Sequence, residues 1–235
     1  FGSEKIAGIM DTLGLEEDQP IEHDLITNSI SRAQKRVESR NFGIRKSILE
    51  YDEVLHKQRG GIYERRKKIL LGEDLKKMLF EMGDKWLDDT LEIYIDQSKA
   101  PDKWDLEGLM QHVEDFLGDL ELDVEDLENL RQEEIKAKLM EEFKSAYSDK
   151  RADLGNDSIE ELEKTVMLKT VDQKWMDHLQ AMNELRQGIC LRAYGQRDPL
   201  TEYKYEAFDM YKEMLSRIRE DIIQYLFAIE IVHEG

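Results

Sequence analysis

The sequence predicts an all-α fold: a long helix, an inserted small helical subdomain and a C-terminal antiparallel helical hairpin. Three observations carry that reading. Only Pro20, Pro101 and Pro199 interrupt 235 residues, and proline is the residue a helix interior excludes, because it removes a hydrogen bond and clashes with the preceding turn. The tracts between them are rich in Glu, Lys, Leu, Arg, Met and Ala, all good helix formers. Alternating β-branched runs flanked by turn dipeptides, from which strands are built, are absent.

Residues 3–14 read as a short helix with Ser3 as N-cap and Gly14 just past its end, followed by the acidic linker Glu16-Glu17-Asp18-Gln19. Pro20 then opens the long helix, where its missing N–H does no harm. Apolar residues at Ile21, Leu25, Ile30, Ala33, Val37, Ile44, Ile48, Tyr51, Leu55 and Ile62 keep one stripe on one face. Run unbroken to about Lys68, such a helix is roughly 70 Å long. Gly43 and the pair Gly60-Gly61 are its weak points, and the pair is the expected place for a bend.

Residues 72–155 form the inserted piece, with helical patterns at Leu75–Tyr94, Leu106–Leu117 and Val124–Tyr147 punctuated by Gly72, Pro101, Gly118 and Gly155. Charge is segregated between it and the spine. Residues 101–145 hold 15 acids and 5 bases, whereas residues 32–77 hold 14 bases and 7 acids. Residues 156–235 form the hairpin. Ser158-Ile159-Glu160-Glu161 matches a capping box that would start the first arm. The loop Gly188–Pro199 then turns the chain, and the second arm resumes at Leu200. Trp175, Leu185, Phe208 and Tyr211 are the expected interlocking residues between the arms.

The composition excludes several function classes. With 34 basic against 53 acidic residues and a net charge of −19, nucleic acid is not an expected partner. No stretch approaches the roughly 18 apolar residues of a membrane span. Cys190 is the one cysteine, so no internal disulfide or Cys-based zinc site can form. Phosphate-cradling glycine loops, nucleophile elbows and H-E-x-x-H motifs are missing. Asp172 and His178 lie six apart, on different helix faces, and read as surface or interhelical polar residues rather than a catalytic pair. The chain is expected to have no catalytic, cofactor or metal residues of its own. Its start, Phe1-Gly2-Ser3, carries no leader pattern and reads as a cut inside a longer protein.

Two segments stand out. Arg186–Pro199, the hairpin tip, holds three arginines and Tyr194 beside Gly195, with no acid before Asp198. It can be an ordinary polar turn or a contact surface. Asn41–Val54 places charged and apolar residues around several sides of the spine, as docking partners on different sides would require.

These strings carry a resemblance. Leu185-Arg186-Gln187-Gly188-Ile189, then Arg192-Ala193-Tyr194-Gly195-Gln196-Arg197-Asp198-Pro199 and Glu202-Tyr203-Lys204, resemble the hairpin of the SecA family of preprotein translocase ATPases. Trp175-Met176-Asp177-His178-Leu179 is similar to its first arm, and Asn41–Arg59 to its scaffold helix; Gly43 and His56 depart from that pattern. The resemblance implies that residues 1–19 end a second motor domain, 20–71 are the scaffold helix, 72–155 the wing and 156–235 a two-helix finger. It further implies a fingertip of Arg192, Tyr194, Gln196 and Arg197 that contacts unfolded preprotein at the SecY channel complex. Arg45, Glu50, Tyr51, Asp52 and Trp175 would be interdomain scaffold residues. ATP and Mg would bind only in motor domains of the same parent chain, beside a preprotein-binding domain. The parent would sit in the bacterial cytoplasm, peripheral on the inner face of the cell membrane. The alternative is a free-standing helical adaptor whose tip loop is inert.

Overall fold

The computed structural model describes residues 24–72, 74–192 and 198–229. Among these residues six α-helices run in order, α1 (Asp24–Leu71), α2 (Leu75–Tyr94), α3 (Leu106–Leu117), α4 (Gln132–Leu154), α5 (Asn156–Arg192) and α6 (Pro199–Ala228), with 3-10 turns at Pro101–Lys103 and Val124–Asp126. Among the described residues there are no strands. The chain forms two compact units, Phe1–Leu55 and His56–Gly235. The described part of the first is helix alone, and the second holds the rest of α1 with α2–α6.

Helix α1 continues through Gly43 and through Gly60-Gly61, so the glycine pair does not interrupt it. Gly61 has a packing role instead. A Cβ there would lie 2.8 Å from the Tyr211 hydroxyl, so a side chain is excluded where α1 meets α6. The helix stops at Gly72, whose φ of 68° places it in the left-handed region and whose N–H returns to the Ile69 carbonyl.

Helices α2 and α3 have the expected bounds. Asp105 caps α3 by accepting the Gly108 N–H at 2.9 Å, and Gly118, with φ 88°, ends it. The expected single helix Val124–Tyr147 is instead a 3-10 turn and a separate α4. Asn129 takes φ 63° and breaks the run, and Glu134 then accepts the Arg131 N–H at 2.8 Å to restart it. Ile135, Leu139, Phe143 and Tyr147 recur every fourth residue and are all buried, making α4 the inner wall of the wing.

Helix α5 begins at Asn156, two residues before the expected cap Ser158, because the Gly155 carbonyl already accepts the Ile159 N–H. It also runs past Gly188 to Arg192, so Arg186–Arg192 are helix and not loop. Buried Ile189 explains this: burying such a side chain is worth about 1.5–3 kcal/mol, more than the roughly 1 kcal/mol a helical glycine costs. Helix α6 starts at Pro199, with Asp198 accepting the Thr201 N–H at 2.9 Å.

The two arms pack along their length through Met167, Val171, Trp175 and Met182 on α5 and Ala207, Met214, Ile218 and Ile222 on α6. Trp175 and Leu185 are buried as expected and Tyr211 is half-buried, but Phe208 is 59% exposed. It follows fully buried Ala207 by one position, which turns it about 100° away from the seam.

The wing is fastened to the hairpin by side chains from α2 and α4. Asp89 pairs with Arg219 and accepts the Ser216 hydroxyl, while Lys150 donates to the Phe227 carbonyl at 2.6 Å. Phe143 meets Phe227 edge-on at 5.3 Å. Tyr147 donates its hydroxyl to buried Glu163 at 2.6 Å and accepts from Arg151. Burial pushes the Glu163 carboxyl above its ordinary pKa, against the lowering effects of Tyr147 and Arg151, and its Oε2 has no partner.

Two expectations follow. Gly60→Ala meets open space and should stabilise the chain by about 0.5–1 kcal/mol, whereas Gly61→Ala must displace Tyr211 and should lose that gain or destabilise; thermal unfolding of the two variants checks the contrast. Because the folded state holds the Glu163 proton more tightly, it binds more protons than the unfolded state from about pH 4.5 up to the raised folded value. This residue's contribution therefore falls as pH rises through that window. Glu163→Gln should remove the effect, so its stability relative to wild type should rise between about pH 4 and pH 7 in urea unfolding series.

Candidate functional site

The second unit is organised around a buried polar junction. Gln58, on the C-terminal part of α1, is 8% exposed and lies in phase with the stripe that ends at Ile62. Its Nε2 donates to the Ala207 carbonyl of α6 at 2.9 Å, which turns Oε1 toward His178 Nε2 of α5, also at 2.9 Å. One amide thus grips both arms of the hairpin. With its oxygen as acceptor, Gln58 requires the His178 proton on Nε2.

His178 is 5% exposed, with the Trp175 ring at 5.6 Å and the Tyr211 ring at 6.0 Å. Burial pushes its pKa down, so the imidazole is neutral and its tautomer is set by the amide. Beyond this junction Arg66 makes a forked pair with Asp172, at 2.8 and 3.2 Å, and Lys174 reaches Asp221 across the arms at 2.7 Å. The arrangement offers no nucleophile–base pair. Its chemistry is mechanical, a fixed angle between one helix and two others. Among the described residues no three His, Cys, Asp or Glu side chains converge as a metal site, and no helix is long and apolar enough to cross a membrane.

Asp172 and His178 do not meet: each serves a different residue of α1. Trp175 lies inside the hairpin rather than on its surface. Arg45 and Asp52 are exposed on the N-terminal part of α1, and Glu50 and Tyr51 are half-buried there. Lys46 sits 4.0 Å from Glu50 one turn on. Ile30, Val37, Ile44 and Ile48 expose 39–49% of their surface, and Phe42 64%. Arg192 is the last residue of α5, and Tyr194, Gln196 and Arg197 lie outside the described residues.

Gln58 and Arg66 are not among the residues singled out from sequence, and His178 reads there as a polar residue without a partner assigned to it. The signal for Gln58 and His178 was positional. Gln58 falls three after Leu55 and four before Ile62, and His178 three after Trp175 and four before Met182. A polar residue in phase with an apolar stripe is one the fold buries, and a buried polar group needs a partner.

The model of the SecA Wing and Scaffold domain matches residues 20–230. The chain is similar to the protein translocase subunit SecA of Halothermothrix orenii, 48% identical over 98% of this chain and 27% of that protein. It is likewise similar to those of Pelotomaculum thermopropionicum (47%, over 99% and 26%) and Carboxydothermus hydrogenoformans (46%, over 100% and 27%). The chain spans about a quarter of the length of these relatives. An all-helical arrangement of a long helix, a wing and a hairpin, matched by that model over most of its length, belongs to the SecA wing and scaffold domain family.

Proposed function

We propose that this chain is the scaffold and wing region of a protein-translocating motor and couples motor movement to a two-helix finger. In this reading residues 1–19 complete a second motor domain and its linker, 20–71 are the scaffold helix, 72–155 the wing and 156–235 the finger. The exposed apolar stripe Ile30–Ile48, with Arg45, Glu50, Tyr51 and Asp52, receives the motor and preprotein-binding domains of the same parent chain, where ATP and Mg bind. Arg192, Tyr194, Gln196 and Arg197 at the fingertip contact unfolded preprotein at the SecY channel, on the cytoplasmic face of the bacterial membrane.

The observation that supports this most directly is the Gln58 grip on both arms, which suits a lever driven from α1. A tyrosine suits the tip, because its flat amphipathic ring touches many chain sequences without demanding one.

Gln58→Leu leaves the buried His178 N–H without its acceptor. It should cost about 1–3 kcal/mol in urea unfolding; a change under about 0.5 kcal/mol would show that the junction does not fasten the arms. Tyr194→Ala in the full translocase should leave stability within about 0.5 kcal/mol of wild type yet slow preprotein transport. Unchanged transport by a folded Tyr194→Ala protein would favour an adaptor with an inert tip.

A further inference from the structure

A cavity of about 290 Å3 opens where α1, α2 and α6 meet. Arg65 and Lys68 from α1, Lys85 from α2 and Arg219 from α6 line it, against the carboxylates Glu64 and Glu81. That positive balance sits in a chain whose net charge is −19. The Arg219 Nη2 is engaged by Asp89 and Ser216, but its Nε is buried without an acceptor. Arg65 is half-buried and makes no ion pair or hydrogen bond among the described residues. Burial first, and then the neighbouring Arg219, hold the Arg65 pKa below its ordinary value, with Tyr211 acting in the opposite sense.

Confining two guanidiniums together is unfavourable, and so is burying an N–H donor with nothing to receive it. An oxyanion beside Arg65 relieves the first of these penalties. A carboxylate would do so with one charge; a phosphate brings more charge and oxygens enough for two arginine forks and two lysines.

We propose that the cavity bounded by Arg65, Lys68, Lys85 and Arg219 is a binding site for a phosphate group. Its volume lies at the low end of the roughly 300–1,000 Å3 typical of small-molecule pockets, room enough for a phosphate group. The group can belong to a soluble phosphorylated compound or to a phospholipid headgroup, since the same donors read either. The site stands on groups apart from the Gln58 junction and the fingertip, so it does not depend on the translocase reading.

The test follows the arginine Nε–H resonances of the full 235-residue chain by NMR, as inorganic phosphate replaces chloride at constant ionic strength. The expected result is saturable movement of Arg65 and Arg219, with affinity falling about tenfold in Arg65→Gln. Arg65 has no partner to lose, so this variant should fold as wild type does, which circular dichroism checks; Lys85→Gln, an exposed position, provides a second variant. A drift shared by all exposed arginines and unchanged in Arg65→Gln would overturn the proposal. Vesicles of phosphatidylcholine with and without phosphatidylglycerol separate the two sources. Capture that needs phosphatidylglycerol, is competed by phosphate and is weakened in Arg65→Gln assigns the site to a headgroup. Phosphate binding without capture assigns it to a soluble compound.

Discussion

The Gln58 side chain has both of its polar ends inside the protein, and the second unit is built around that commitment. A buried amide must have its N–H and its oxygen satisfied, since each unmade bond costs about 1–3 kcal/mol. Here one bond goes to a backbone carbonyl of α6 and the other to a side chain of α5. Sliding α1 along the hairpin by a single turn would break both. Apolar packing by Ile62 and Ile69 gives the crossing its free energy, but such packing tolerates many registers. The amide selects one of them.

The neutral imidazole of His178 belongs to the same constraint. A protonated ring would place a charge beside Trp175 and Tyr211 in a site poor in water, and burial already works against that. Gly61 lets α1 come close enough for the arrangement, because the space of its missing Cβ is taken by the Tyr211 hydroxyl. The wing answers to a different rule. Besides the Phe143–Phe227 contact, it joins the hairpin through charged and polar groups, Asp89 with Arg219, Lys150 with a carbonyl and Tyr147 with Glu163. These are strongly directional contacts, and they fix an orientation more than they add free energy.

Helix existence was legible in the sequence because periodic stripes and punctuation agreed. Leu75–Tyr94 and Leu106–Leu117 have the bounds that their flanking glycines and prolines implied. Errors arose where a local signal competed with packing. Gly188 reads as a breaker, yet Ile189 behind it had a core to enter. Asn129 reads as an ordinary polar residue, yet its left-handed backbone divides Val124–Tyr147. Gly60-Gly61 reads as a bend, because sequence shows what glycine costs a helix and not what the missing side chain admits. Of the candidate site, Trp175 was legible as an arm residue. The junction was not, since pairing Gln58 with His178 requires knowing which three helices converge.

One glycine joins the wing to the hairpin. The Gly155 N–H closes the last turn of α4 on the Arg151 carbonyl, and its own carbonyl opens the first turn of α5. A single residue therefore supplies the final donor of one helix and the first acceptor of the next, with no loop between them to absorb motion. Fraying, which ordinarily starts at free ends, has no free end here. Each helix protects the other's terminus, and the exchange of amides on either side of Gly155 becomes a joint event. An opening of the wing at this point is an opening of the hairpin as well.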